Sequence, residues 1–144
     1  MKCTTVTDKS REEEVIIYTH GESALAARIE ALVREASAEY VGYSGKDIVI
    51  YKPEDVTCFF TEGGKVYAIT DTEKLEVKER IYTLLERLGT DFVKINQSCI
   101  ANIKKIKLFN ASISGTLLVI FKNGHRDYVS RRQMKAVKER LGIR

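Results

Sequence analysis

The side chains best suited to chemistry in this sequence are the cations and amides of its C-terminal third. Residues 94–144 contain 12 Lys and Arg against 2 Asp and Glu, a net charge of +10, whereas residues 1–93 carry a net charge of −6. Ammonium groups neutralise phosphates, and Arg, Asn and Gln form paired hydrogen bonds with base edges. The pattern favours a polyanion-binding surface over its simpler alternative, a solvated basic face.

Each candidate in this region has an expected partner on DNA. Arg131 and Arg132 can pair with guanine, and Asn96 and Gln97 can pair with adenine. Lysines would neutralise phosphates, and the candidates are Lys94, Lys104, Lys105, Lys107, Lys122 and Lys135. Only three aromatic residues in the region could stack on unpaired bases, so duplex DNA is favoured over RNA.

The same inventory gives no support for an enzyme. Three cysteines and two histidines are too scattered for the spacing of a metal site. The glycine pair at Gly63 and Gly64 is typical of a turn, and neither a Walker A nor a dinucleotide-binding pattern is present. We therefore expect no catalytic residues, no metal or other cofactor and no small-molecule substrate.

The cysteines and the hydropathy predict the cellular compartment of the protein. Cys3, Cys58 and Cys99 are odd in number and widely spaced, which is typical of reduced thiols rather than of a disulfide framework. The sequence does not start with a signal peptide, and its longest apolar run, residues 117–121, is too short to span a bilayer. We expect a cytoplasmic protein.

The elements that must position these groups fall into two predicted segments. In residues 1–45, β-branched residues at 15–18 predict a strand, and an apolar stripe from Leu25 to Ala36 predicts a helix with Ser23 as its N-cap. Glycines between Gly42 and Gly45 indicate a joint. Residues 1–45 are therefore predicted to be an accessory strand-helix unit, and residues 46–144 a DNA-binding domain.

The second segment reads as short strands with tight turns and few helices. Glu62-Gly63-Gly64-Lys65 and Asn123-Gly124 are hairpin signals. Helical spacing occurs near residues 81–88 and again after Ser130, which is a candidate N-cap. The predicted fold class is α+β and β-rich, not a doubly wound sheet. A helix-turn-helix is not expected, because the basic third has only one clear helix.

Three stretches of the sequence resemble LytTR DNA-binding domains. Residues 92–103, with Asn96-Gln97-Ser98 at their centre, resemble the central signature of that family. Residues 59–67 resemble its opening hairpin, and residues 115–132, ending in Ser130-Arg131-Arg132, resemble its closing hairpin and final segment. The resemblance covers about residues 48–142, and the order and spacing of the three pieces make it specific.

The resemblance implies an elongated arrangement of short antiparallel sheets with short helices, whose loops enter successive major grooves. It implies three DNA-contacting places: Gly64 and Lys65, the pair Asn96 and Gln97, and Arg132 with Arg131 beside it. The commoner family pattern has His or Arg before the signature serine and an aromatic residue after it. Here Gln97 and Cys99 flank Ser98, which puts the target sequence in question more than the activity.

The resemblance also implies partners. It points to a stand-alone bacterial LytTR regulator without a receiver domain, which binds paired direct repeats as a homodimer at least on DNA. Such regulators are often encoded beside a small membrane protein that inhibits them. The helix stripe between Ser23 and Ala38 is expected to pack on the domain or to form a dimer contact. Two alternatives remain: a protein-interaction module or antagonist whose basic face binds an acidic partner, and an RNA-binding β domain.

Overall fold

The computed structural model describes residues 1–111 and 115–143. Its contacts divide the chain into two compact units, Met1–Ala38 and Glu39–Arg144. No helix in the described residues is long and apolar enough to cross a membrane.

The first unit contains helix α1, Ala24–Ala36. The Ser23 hydroxyl accepts a hydrogen bond from the Ala26 amide at 3.2 Å, so the predicted N-cap is confirmed. The strand predicted at residues 15–18 does not form, and Val15 and Ile16 are exposed. A strand needs a neighbour for its backbone groups, and none of residues 1–38 forms one.

The second unit contains ten strands and two helices among its described residues. In chain order they are β1 Tyr40–Ser44, β2 Asp47–Tyr51, β3 Val56–Glu62, β4 Lys65–Thr70, β5 Lys74–Val77, α2 Ile81–Arg87, β6 Phe92–Asn96, β7 Cys99–Asn102, β8 Ile106–Ala111, β9 Leu117–Phe121, β10 Arg126–Val129 and α3 Arg131–Leu141. Single turns of 3₁₀ helix precede β3 and β8. The predicted β-rich α+β class is confirmed.

All strand pairs are antiparallel, and they form two sheets. The larger has the order β2-β1-β5-β4-β3-β7-β6, and the smaller has the order β10-β9-β8. The predicted hairpin between β3 and β4 is closed by Gly63 and Gly64, whose φ angles of 58° and 77° suit a type I′ turn. The predicted hairpin at Asn123-Gly124 also forms, between β9 and β10.

The larger sheet is buried on both faces around β3, β7 and β6. Leu84 of α2 packs on one face against a core that includes Phe59, Phe92 and Ile100. The second core, on the other face, is shared with the smaller sheet and α3 and consists of Cys58, Val93, Ile95, Cys99, Ala101, Val119, Phe121, Val129 and Val137. Burial on both faces explains why β7 has four buried residues in succession.

The start of the second unit differs from the predicted segment boundary. The two compact units meet between Ala38 and Glu39 in the chain, whereas the predicted boundary at residue 46 lies inside the β1–β2 hairpin. Gly42 belongs to β1, where a Cβ atom would come within 2.7 Å of the Leu75 side chain. The glycines interpreted as a joint therefore allow β1 to approach the core closely and to turn into β2.

Candidate nucleic-acid interface

Three segments predicted to contact DNA meet at one end of the second unit. The Thr61 amide, next to the β3–β4 turn, donates a hydrogen bond to the Ser98 carbonyl at 2.8 Å. The Ser130 amide, at the start of α3, donates to the Ile95 carbonyl at 2.9 Å. We call this region the loop end: residues 62–65, 96–98 and 130–132. Main-chain bonds thus fix its three segments to one another.

Asn96 holds the loop end together from inside. Its side-chain NH₂ group donates to Asp127 Oδ1 at 2.9 Å and to the Tyr128 carbonyl at 2.8 Å, and its oxygen accepts from the Ser98 amide at 2.8 Å. The residue is only 2% exposed. The prediction that Asn96 contacts a base conflicts with this geometry, because its amide is buried and already bonded. We assign it a positioning role.

Gln97 has the opposite environment. It lies in the two-residue turn between β6 and β7, which follows an irregularity in the β6 register between Lys94 and Asn96. Its side chain is exposed and has no hydrogen-bond partner within residues 1–111 and 115–143. The turn that buries the Asn96 amide therefore presents the Gln97 amide to solvent.

Arg131 and Arg132 begin helix α3, directly after the N-cap residue Ser130, and both are exposed. Ser130 occupies the predicted N-cap position, but its side chain makes no capping hydrogen bond. Because the N-terminus of a helix carries partial positive charge, it adds to the two guanidinium groups in attracting an anion.

The far end of α3 is anchored to the sheet. Arg140 donates from Nε to the Thr90 carbonyl and from Nη2 to the Phe92 carbonyl, both at 3.0 Å. Val137 is buried in the second core, and Met134 and Leu141 pack against that core, in agreement with the helical spacing predicted after Ser130. This anchoring fixes the direction in which the first turn of α3 faces. Lys135, one turn after Arg131, is exposed on the same helix.

Two further predicted phosphate contacts, Lys65 and Lys94, lie on different parts of the larger sheet. Lys65 is the first residue of β4, next to the hairpin turn, and its Nζ is 3.9 Å from Glu76 Oε2. Lys65 is exposed and Glu76 is partly buried, and a single pair at this distance contributes little, so it leaves Lys65 able to approach a phosphate. Lys94 pairs with Ile100 across β6 and β7, which places it on the α2 face of the sheet rather than on the α3 face.

The structure separates Lys104 and Lys105 from the other predicted site residues. They follow β7, whose other end adjoins Ser98, and β7 spans roughly 13 Å at 3.3 Å per residue. Lys104 Nζ is 3.4 Å from Asp91 Oδ2, and Lys105 Nζ is 3.5 Å from Asp71 Oδ2. We call this region, the 3₁₀ turn Ile103–Lys105 with its two aspartates, the far end.

Two supporting residues were not identified from the sequence. Asp127 is one of two acidic residues in the basic third, and it accepts bonds from Asn96 Nδ2 and from the Tyr128 amide at 2.7 Å. Lys74 Nζ lies 4.3 Å from the Tyr67 ring centroid and 3.2 Å from Glu62 Oε2, beside the β3–β4 turn. The isolation of Asp127 among cations was the signal that could have identified it.

Two buried thiols lie behind the loop end. Hydrogen bonds with Cys99 and His125 lower the pKa of the Cys58 thiol to about 6, although burial opposes this shift. The bond with Cys58 raises the pKa of His125, whose ring packs 5.8 Å from the Phe60 centroid and 5.7 Å from that of Phe121. No group of three or more metal-binding side chains occurs in the described part of the chain.

Comparison with known proteins identifies this arrangement. Residues 46–142 match the sequence profile of the LytTr DNA-binding domain. The chain belongs to the LytTR family. The predicted DNA-binding regulator of this family is therefore confirmed over the interaction module and the RNA-binding domain.

Individual relatives agree with the family assignment. Uncharacterised HTH-type transcriptional regulators of Staphylococcus aureus strains NCTC 8325 / PS 47 and COL are each 36% identical over 109 residues, which are 76% of this chain and 74% of theirs. A solved LytTr DNA-binding domain, described as part of a methyl-accepting/DNA response regulator from Bacillus cereus, superposes with a TM-score of 0.70. That match covers 74% of this chain and all of the Bacillus domain at 18% identity, which supports the fold.

Proposed function

We propose that this LytTR protein regulates transcription by binding specific duplex DNA with its loop end, whose turns enter successive major grooves. The observation that carries this proposal is the contrast within one turn: Asn96 is buried and bonded, whereas Gln97 faces solvent beside the start of α3. A rigid frame that presents an amide next to guanidinium groups suits base recognition, because positioned bidentate groups distinguish one base pair from another.

The proposed roles follow exposure and chemistry. Gln97 and Arg132 are assigned to base edges, since both are exposed and neither has a partner in the described residues. Arg131, Lys65 and Lys135 are assigned to phosphates around them. Lys94 is a phosphate contact only if the DNA reaches the α2 face. Lys104 and Lys105 are left out of this surface because they lie at the other end of β7.

The partners expected from the sequence remain part of the proposal. Two copies are expected to occupy paired direct repeats, and a small membrane protein encoded nearby is the expected inhibitor. Transcription regulators act where chromosomal DNA lies, which supports a cytoplasmic location. The names of the staphylococcal relatives support the regulatory role. No substrate or cofactor is included in the proposal.

The test is selection of binding sequences from random duplex DNA, followed by affinity measurement on the selected site and on a scrambled copy. Specific binding should exceed non-specific binding by at least about 10³-fold, and the logarithm of the association constant should fall linearly with the logarithm of salt concentration. Equal affinity for both duplexes across the salt range would contradict the proposal.

A further inference from the structure

The smaller sheet has one buried face and one open face. Residues directly opposite one another on paired strands share a face, so Phe109, Val119 and Asp127 mark the inner face. Val119 belongs to the second core. The alternate residues point outward and form two rows across the sheet: Leu108, Ile120 and Arg126, and Asn110, Leu118 and Tyr128.

Apolar side chains form a continuous strip on the open face. Leu108 lies beside Ile120 in the first row. Leu118 lies beside Tyr128 in the second row, two residues along β9 from Ile120. Leu108 is 41% exposed and Tyr128 is 51% exposed. Because a contiguous exposed apolar patch with a polar rim marks an interaction site, we name these residues the apolar strip: Leu108, Leu118, Ile120 and Tyr128.

Three exposed cations lie at one end of the apolar strip. Arg126 completes the first row, Lys107 lies at the irregularity in the β8 register, and Lys122 directly follows β9. None of the three has an ion pair within residues 1–111 and 115–143. The only acidic residue in β8, β9 and β10 is Asp127, which lies on the inner face and bonds to Asn96. This end of the open face therefore carries three positive charges that no carboxylate of the sheet compensates.

These cations lie away from the loop end, although Lys107 and Lys122 are among the predicted phosphate contacts. Arg126 starts β10, and four residues at about 3.3 Å each, or about 13 Å, lead from it to Ser130 at the loop end. Lys122 adjoins the far end, because its amide donates to the Lys105 carbonyl at 2.8 Å. Apolar side chains lie between the cations and the loop end, and they have no partner on a phosphate backbone. A protein surface provides both apolar and ionic partners.

We propose that the open face of the smaller sheet binds a protein partner through an acidic amphipathic helix. An apolar stripe of that helix covers the apolar strip, and carboxylates at one end pair with Lys107, Lys122 and Arg126. A helix is about 10 Å wide, and three strands about 4.8 Å apart give it a bed of similar width. Tyr and Arg are enriched at protein interfaces, and β10 supplies both, as Tyr128 and Arg126. The inference goes beyond the proposed function, because it concerns a face that the DNA contacts leave open.

The test uses the full chain and two synthetic peptides of about 20 residues, long enough to form a helix. One contains leucine on one side and alanine and glutamate elsewhere, and its twin has lysine in place of glutamate. The acidic peptide should shift the NMR amide resonances of β8, β9 and β10, and the lysine twin should not. Lys107→Glu with Lys122→Glu and Arg126→Glu should weaken binding of the acidic peptide at least about tenfold, because three ion pairs become like-charge contacts. Leu108→Ser should weaken it without changing its salt dependence, because only an apolar contact is lost.

A matched control changes the net charge equally at exposed positions elsewhere: Lys2→Glu with Lys9→Glu and Lys46→Glu should leave the affinity for the peptide unchanged. The peptide and a duplex selected for the loop end should bind together, and displacement of the peptide by DNA would assign the open face to the DNA surface instead. The peptide measurements need no DNA, so their outcome is independent of the test of the proposed function. Absence of shifts in the smaller sheet at about 1 mM peptide, equal binding of the lysine twin, or an equal loss in the matched control would each overturn the proposal.

Discussion

The loop end and the far end are both rich in cations, yet they differ in what surrounds those cations. At the far end, Lys104 and Lys105 each have an aspartate within 3.5 Å. At the loop end, Lys65 has Glu76 at 3.9 Å, but Arg132 has no ion pair in the described residues, and the nearby Asp127 carboxylate is bonded to Asn96 instead. A count of positive charge therefore identifies a basic segment, whereas the fold decides which of its cations lie together and which of them have a carboxylate beside them.

The largest effect is expected where the loop end is held together. Asn96→Ala removes three partly buried hydrogen bonds and leaves the Ser98 amide and the Tyr128 carbonyl without their partner, so it should lower the free energy of unfolding by about 3 kcal/mol. Urea denaturation measures this loss. The matched control is Gln97→Ala, one residue along the same turn, which should change stability by less than about 0.5 kcal/mol. Equal effects of the two substitutions would refute the division of roles within the turn.

The next effect concerns recognition at the loop end. Arg132→Ala and Gln97→Ala should each cost about 1–3 kcal/mol of binding to the selected DNA site and little on scrambled DNA, because a base contact is lost. Fluorescence anisotropy on both duplexes measures the difference. Losses of the same size on both duplexes would reassign these residues to phosphates. An exposed lysine outside the matched domain, replaced as Lys9→Ala, serves as the control and should change neither affinity.

A smaller effect compares cations of the two ends directly. Lys135→Ala should reduce the slope of log affinity against log salt by about 1 and weaken binding to both duplexes. Lys104→Ala and Lys105→Ala should leave the slope unchanged, since the far end lies away from the proposed DNA path. If the far-end lysines changed the slope as much as Lys135, the proposed DNA surface would have to extend along the sheet.

The smallest effect is a pH dependence of stability that DNA binding should not share. The Cys99 hydrogen bond and the contact with His125 lower the pKa of Cys58 to about 6, and the same contact raises the pKa of His125 above 6.5. The contribution of the Cys58–His125 contact to stability therefore weakens as the pH falls through about 6 and is lost as the pH rises through the raised value of His125. His125→Phe should remove that part of the pH dependence in thermal melts. His20→Phe, at an exposed histidine, should leave the pH dependence of the melting temperature unchanged. If DNA affinity changed with pH in parallel with stability, His125 would be coupled to the DNA-binding loop end, contrary to this prediction.

Much of the fold follows from local patterns that the sequence displays. The β3–β4 turn needs two residues with positive φ, and Gly63-Gly64 supplies them without strain. Ser23 caps α1, and Val137 points inward from α3, because capping and helical period depend only on near neighbours. Residues 15–18 show where this reasoning fails: β propensity predicted a strand, but strand formation requires a partner that residues 1–38 do not provide.

Residue types and their spacing were enough to identify the LytTR family, the β-rich class, the hairpins and the segments that form the loop end. The burial of Asn96 and the exposure of Gln97 emerge only from the folded structure, because the three partners of Asn96 include Asp127 and Tyr128, about thirty residues away. The fold also decides that Asp91 and Asp71 accompany the far-end lysines. The physical reason is the same in each case: burial and charge pairing depend on contacts between distant segments, which residue type and spacing do not specify.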